Sequence, residues 1–144
     1  MRYLLDTNII SELVRPRPDE GVVHWVRSQS SLDLVLSVLV LGELEKGIAT
    51  LPRGRRHTQL DRWLRTTLPR QFVGRLLEVD AAVALRWGRL AGLGKAKGRP
   101  LPVIDGLMLA TADVAGLTLA TRNVSDCAGR GVSVYDPWGD VLHG

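Results

Sequence analysis

The sequence predicts an α/β domain: a central parallel sheet of about five strands flanked by helices on both faces. Three observations predict it. Short apolar runs of strand length alternate with stretches whose apolar residues recur at helical spacing. The first run stops at a carboxylate, Asp6, in the position where open α/β sheets place their ligands. Finally, 144 residues with 45% hydrophobic content supply one sizeable core, so residues 1–144 read as a single domain.

The elements follow in order. Tyr3 to Leu5 reads as a buried strand. Thr7 and Asn8 offer helix caps, and Ile9, Ile10, Leu13 and Val14 mark the first helix. Val22, Val23 and Val26 mark a second helix between Asp19 and Ser28. Leu34 to Ser37 is the second strand. Val40 to Thr50 is a helix stopped by Pro52, and Arg53 to Arg56 a basic turn. Thr58 to Leu68 carries Leu60, Trp63, Leu64 and Leu68 on one helical face, with Pro69 as its end. Leu76 to Val79 is the third strand. Asp80 caps a long helix bearing Val83, Ala84, Trp87, Leu90 and Ala91, and Gly92 to Pro100 reads as a loop or frayed helix end. Pro102 opens a helix over Val103 to Val114 that Gly116 closes. Leu117 to Thr121 and Val132 to Tyr135 are the fourth and fifth strands.

Composition narrows the function classes. No apolar stretch is long enough to span a bilayer, and the first residues lack a basic-then-apolar signal pattern. The single Cys127 excludes an intrachain disulfide and suits a reducing, cytoplasmic setting. A net charge of +4 is mild evidence for a polyanionic partner. His24, His57 and His143 have no zinc spacing. There is no GxxxxGK[ST] loop, no GxSxG elbow, and no evident histidine partner for Cys127.

The acids carry the chemistry. Asp6 alone would pass for a helix N-cap, but other acids share its kind of setting. Glu43 lies in LGELEKGI beside the apolar side marked by Leu39, Leu44 and Ile48; Glu45 lies about 200° around the helix and faces solvent. Asp105 lies in the first turn of an apolar helix, where the dipole favours its charge and burial demands a partner or a metal. Asp113, about 12 Å further along the axis, is out of reach of the same ion. Asn123 and Asp126 follow the fourth strand, where turn and capping roles compete with a site role. Converging carboxylates repel unless a cation sits among them. Oxygen donors without histidine or thiolate point to Mg2+ or Mn2+.

Four segments in order, LLDTNIISEL, SVLVLGELEKGI, VIDGLMLATA and LATRN with a following aspartate, resemble PIN-domain ribonucleases. The type is similar to the VapC and FitB toxins of bacterial toxin–antitoxin pairs, and the ending VYDPW is FitB-like. The resemblance implies a metal site of Asp6, Glu43 and Asp105. Its fourth acidic position falls on Asn123 in some relatives and on Asp126 in others, and here Cys127 stands where phenylalanine is usual. Thr7, Asn8, Ser11 and Thr121 would be supporting polar residues.

The implied activity is Mg2+- or Mn2+-dependent endoribonuclease cleavage, leaving a 5′-phosphate and a 3′-hydroxyl. The implied partners are RNA, a cognate VapB/FitA-like antitoxin, and a second copy of the toxin in a homodimer and toxin–antitoxin hetero-oligomer. Promoter DNA is reached only through the antitoxin. Three basic segments can guide RNA: Arg53 to Arg56, Arg70 with Arg75, and Lys95 to Arg99, though each can equally be a solvated loop. Trp63 and Trp87 fit the core, whereas Trp25 and Trp138 are unassigned. Two rival readings stand beside this one. The first is a catalytically inactive PIN fold that serves as a binding module, with Asn123 in place of an acid. The second is a receiver or aspartate-nucleophile phosphatase, disfavoured because Leu5, Thr7 and Asn8 are not acidic.

Overall fold

A computed structural model describes residues 1–144. Strand β1 (Tyr3–Leu5) runs into helix α1 (Thr7–Leu13), followed by α2 (Glu20–Ser28), β2 (Leu34–Ser37) and α3 (Val38–Ala49). Helix α4 (Arg55–Arg62), a π-turn (Trp63–Thr67) and α5 (Leu68–Gln71) lead to β3 (Leu76–Leu77). Then come α6 (Ala81–Ala96), α7 (Val103–Ala115), β4 (Thr118–Ala120), α8 (Val124–Cys127), β5 (Val134–Asp136) and β6 (Val141–His143).

The sheet order is β3-β2-β1-β4-β5-β6. The first five strands are parallel, as the alternation predicts, and β6 adds an antiparallel edge through pairs such as Tyr135 with Leu142. The residues of β1, β2 and β4 are buried throughout, because a parallel sheet is covered on both faces. The chain steps one way from β1 to β2 and β3, then returns to β4 on the other side of β1. With right-handed crossovers, α6 and α7 therefore cover the face opposite α1 and α3. The reversal leaves a crevice past the carboxyl ends of β1 and β4, which is where such sheets take ligands.

The core gathers Leu4, Leu5, Ile9, Leu36, Met108, Leu109, Leu119 and Val134 around the sheet. Trp25 is buried with Tyr3, its ring centroid 4.9 Å away, and Tyr135, 5.1 Å away. Trp63 and Trp87 pack against the core from its margin. Asp80 caps α6 as expected, accepting from the Val83 N–H, and Gly116 closes α7 in the left-handed region; Asp19 caps α2 by accepting from the Val22 N–H, whereas Thr7 and Asn8 lie inside α1, because Asp6 takes the capping position before them.

Several boundaries differ from the sequence reading. Pro69 does not end its helix. In α geometry a proline ring clashes with the carbonyl four residues back. The π-turn widens the backbone just before Pro69, with the Leu68 N–H donating to the Trp63 carbonyl, and the chain continues into α5. The glycine-rich stretch after Ala91 stays helical to Ala96, because α6 packs along α7 and buries Leu90 and Gly94 there. Arg55 and Arg56 belong to α4 rather than to a turn. The third strand shrinks to Leu76–Leu77, the two residues that pair with β2.

Candidate metal and RNA site

Asp6 stands at the junction of β1 with α1, Glu43 inside α3, and Asp105 in the first turn of α7. Asp6 follows β1 in extended conformation, and its N–H donates to the Ala120 carbonyl of β4 at 2.9 Å, which pins the two strand ends together. Its Oδ1 accepts from the Thr7 N–H at 2.7 Å, so the capping role is real. Its Oδ2 accepts from the Thr121 hydroxyl at 2.7 Å and from Asn8 Nδ2 at 3.4 Å. Asp6 is only 5% exposed. Burial raises its pKa, and the Glu43 charge adds to this against the hydrogen bonds from Thr121 and Thr7.

Ser37 ends β2 and caps α3 by accepting from the Leu39 N–H at 3.0 Å. That fixes the helix so that Glu43 projects toward the start of α1, where its Oε1 accepts from the Thr7 hydroxyl at 2.5 Å. Glu45, two residues on, instead pairs with Arg65 on the exposed surface. Asp105 lies in the first turn of α7 and accepts from Asn123 Nδ2 at 2.8 Å. Its pKa is raised to about 6, first by burial and then by the charges of Asp6, Asp126 and Glu43. Asp113, two turns away, pairs with Arg86 at 2.6 Å.

Asn123 and Asp126 divide the fourth position between them. The Asn123 amide donates to Asp105 and, at 3.1 Å, to Asp126 Oδ2, and its N–H donates to the Thr121 hydroxyl at 3.0 Å. Asn123 lines the cavity, whereas Asp126 stands behind it. Cys127 is fully buried, and burial together with Asp105, Asp6 and Asp126 pushes its thiol to about 12, so it is a core residue and no nucleophile.

A cavity of about 420 Å3 joins Asp6, Glu43, Asp105 and Asn123. These four offer oxygen donors without imidazole or thiolate, and a hard divalent cation would relieve the repulsion that adds to burial in raising Asp105, so these residues fit Mg2+ or Mn2+. The acids line the walls without closing on a point: no group of three His, Cys, Asp or Glu forms a finished chelate.

The cavity also holds Glu12, Arg15, Arg122 and Trp138, which the sequence reading did not place there. Buried Glu12 accepts from the Asp19 N–H at 2.9 Å and from Arg15 at 3.2 Å, tying the end of α1 to the start of α2. The Arg122 guanidinium lies 5.0 Å over the Trp138 ring. A signal for some of them was present. Asn8, Ser11, Glu12 and Arg15 are spaced as one polar helical stripe, and all four face the cavity. Of the basic segments, Arg75 is not available to RNA, because its guanidinium is bonded to the Ser31, Leu34 and Gln71 carbonyls.

Comparison with known proteins agrees with this geometry. The PIN domain family matches residues 3–125. Toxin FitB of Neisseria gonorrhoeae is 37% identical over 137 residues, covering 95% of this chain and 99% of that protein. A VapC ribonuclease of Sinorhizobium fredii is 33% identical over 135 residues, covering 94% and 96%. The solved structure of FitAB bound to a DNA fragment superposes with a TM-score of 0.89 at 34% identity, covering 94% of this chain and 95% of that one.

Proposed function

This chain belongs to the PIN-domain family, and from that premise we propose that it is the RNA-cleaving toxin of a VapBC/FitAB-like toxin–antitoxin pair, a Mg2+- or Mn2+-dependent endoribonuclease. One observation carries the reading: Asp6, Glu43 and Asp105, from three separate elements, line one cavity at the reversal of the sheet.

Asp6, Asp105 and Glu43 would hold the ion, with Asp126 adding its charge from behind Asn123. When bound, the ion supplies a Lewis acid for the scissile phosphodiester and an activated attacking water. The chain's own groups prepare this. The Thr7 and Thr121 hydroxyls and the Asn123 amide donate to Glu43, Asp6 and Asp105 respectively, which orients each carboxylate. Arg122, in no ion pair and seated on Trp138, presents a cation to the phosphates flanking the cut. The products are a 5′-phosphate and a 3′-hydroxyl, and the reaction belongs in the cytoplasm with its substrate.

The partner in this reading is a VapB/FitA-like antitoxin, which in turn binds promoter DNA. The structural relatives include the FitAB complex bound to a DNA fragment and a VapBC complex of Haemophilus influenzae. An apolar groove of about 510 Å3, lined by Ile10, Leu13, Val26, Trp63 and Phe72 among others, is where we seat an antitoxin segment. A homodimer of toxins within a hetero-oligomer completes the assembly. No helix is long and apolar enough to cross a membrane.

Asn123 in place of an acid favours a second reading, a PIN fold that binds without cutting. Incubating total RNA with antitoxin-free protein separates the two. The expected result is discrete cleavage with Mg2+ or Mn2+ that stops with EDTA and in Asp6→Asn. Undiminished cleavage by Asp6→Asn would remove Asp6 from the mechanism. No cleavage and no Mn2+ binding by folded protein would leave the binding module.

A further inference from the structure

A second cavity of about 420 Å3 opens between the C-terminal half of α6 and the segment that follows α8. Lys97, Arg99 and Arg130 line it, with Leu90, Gly94 and Gly131, and no acidic side chain does. None of the three cations is in an ion pair.

The two arginines are fixed without being neutralised. Arg130 donates to the carbonyls of Asp126 at 2.6 Å, Arg99 at 3.1 Å and Pro100 at 3.4 Å, and Arg99 donates to the carbonyl of Ser125 at 2.7 Å. A guanidinium has five N–H donors, so both keep donors free. Helix α6 makes room for them. A Cβ at Gly94 would stand 2.6 Å from the Arg99 carbonyl oxygen and 2.9 Å from Arg130 Nη1. Two rigid forks and a flexible ammonium form a donor set matched to a phosphate.

We propose that this cavity is an oxyanion site that takes a phosphate group, and that the phosphate belongs to the RNA strand engaged at the acidic cavity. The RNA assignment rests on the nuclease reading; the oxyanion chemistry does not. Proximity supplies the link. Arg99 and Arg130 bond the carbonyls of Ser125 and Asp126 in α8, the single turn that starts after Asn123. A four-residue helix is about 6 Å long, so a phosphate here lies beside the reaction centre. The sequence offered Lys95 to Arg99 as one of three equivalent basic segments. The fold singles it out by adding Arg130 from 31 residues further on.

The test is an NMR titration of the full chain in EDTA, with inorganic phosphate in one arm and a short single-stranded RNA in the other. The expected result is saturable shifts of the Gly94, Gly129 and Gly131 amides in both arms, at lower concentration with RNA. Lys97 makes no side-chain hydrogen bond or ion pair, so Lys97→Glu should fold normally and weaken both by about tenfold or more, the loss of a charge-assisted hydrogen bond. Shifts with phosphate but not RNA would overturn the RNA assignment and leave a free-phosphate site. No saturable shift in either arm, from folded protein, would overturn the site. Cleavage is not the readout. Shifts in a protein that cuts no RNA would count against the nuclease reading alone, and cleavage without shifts against this site alone.

Discussion

Asp105 combines the conditions that disfavour a carboxylate: partial burial, three acidic neighbours, and a single donor from Asn123. Its folded pKa of about 6 lies above the ordinary aspartate value of 3.8, so the folded chain holds an extra proton between these values. Its contribution to stability is therefore highest below the unfolded pKa, falls as pH rises toward about 6, and stays low above it. The full shift would be worth about 3 kcal/mol, but Asp105 opens onto the cavity, and solvent screening reduces this to about 1 kcal/mol. In metal-free protein, Asp105→Asn should melt about 2–4 °C above wild type near pH 7 and lose that advantage near pH 4. A variant less stable at pH 7, or a difference that does not change with pH, contradicts this origin of the strain. At this scale the sequence was informative where chemistry and local setting coincide. Asp6 is an acid at a strand–helix junction, Asp105 one in a first helical turn, and Glu43 one beside the apolar side of its helix. Asn123 and Asp126 were not separable, because which of them faces the cavity depends on one turn of α8 and an amide bridge.

The pairing of α6 with α7 decides where Asp105 stands. Gly106, the next residue, is buried where the helices cross. A Cβ there would lie 2.8 Å from Trp87 Cδ1 and 3.0 Å from Leu101 Cδ2. Gly106→Ala gains about 1 kcal/mol of helix propensity but overpacks the contact at a cost of about 1–3 kcal/mol. The expected outcome is net destabilisation of about 1 kcal/mol in urea unfolding, with reduced cleavage because the first turn of α7 is displaced. Equal or greater stability would mean that Trp87 yields freely. Such contacts also explain which element boundaries were legible. Caps and apolar spacing placed α2, α6 and α7 because those signals are local. Pro69 and the glycines of α6 misled because tertiary packing overrides weak propensity, through the π-turn in one case and the α6–α7 contact in the other. Strand β6 was missed because it is three residues long, partly exposed, and held by its pairing with β5.

At the scale of the molecule, the parallel sheet and its reversal were readable from alternation, but the folding of β5 and β6 that brings Trp138 to the cavity was not. Nor could the sequence show how charge is distributed. The chain reaches net +4 although Asp6, Glu12, Glu43 and Asp105 line one cavity, so the rest of the surface is more basic than the total implies. Arg122 at the cavity mouth, and Lys97, Arg99 and Arg130 behind α8, are the cations placed to use that charge on a strand. Three or four phosphate contacts on single-stranded RNA correspond to a slope of about −2 to −3 in log binding constant against log salt. Anisotropy of a labelled oligonucleotide in EDTA, from about 50 to about 200 mM salt, should give that slope. Lys97→Glu should flatten it by roughly 0.7 or more, since one phosphate contact is lost. A slope near zero would mean that RNA is held by shape and stacking instead. A steep slope indifferent to Lys97 would move the phosphate contacts to the exposed arginines at the start of α4.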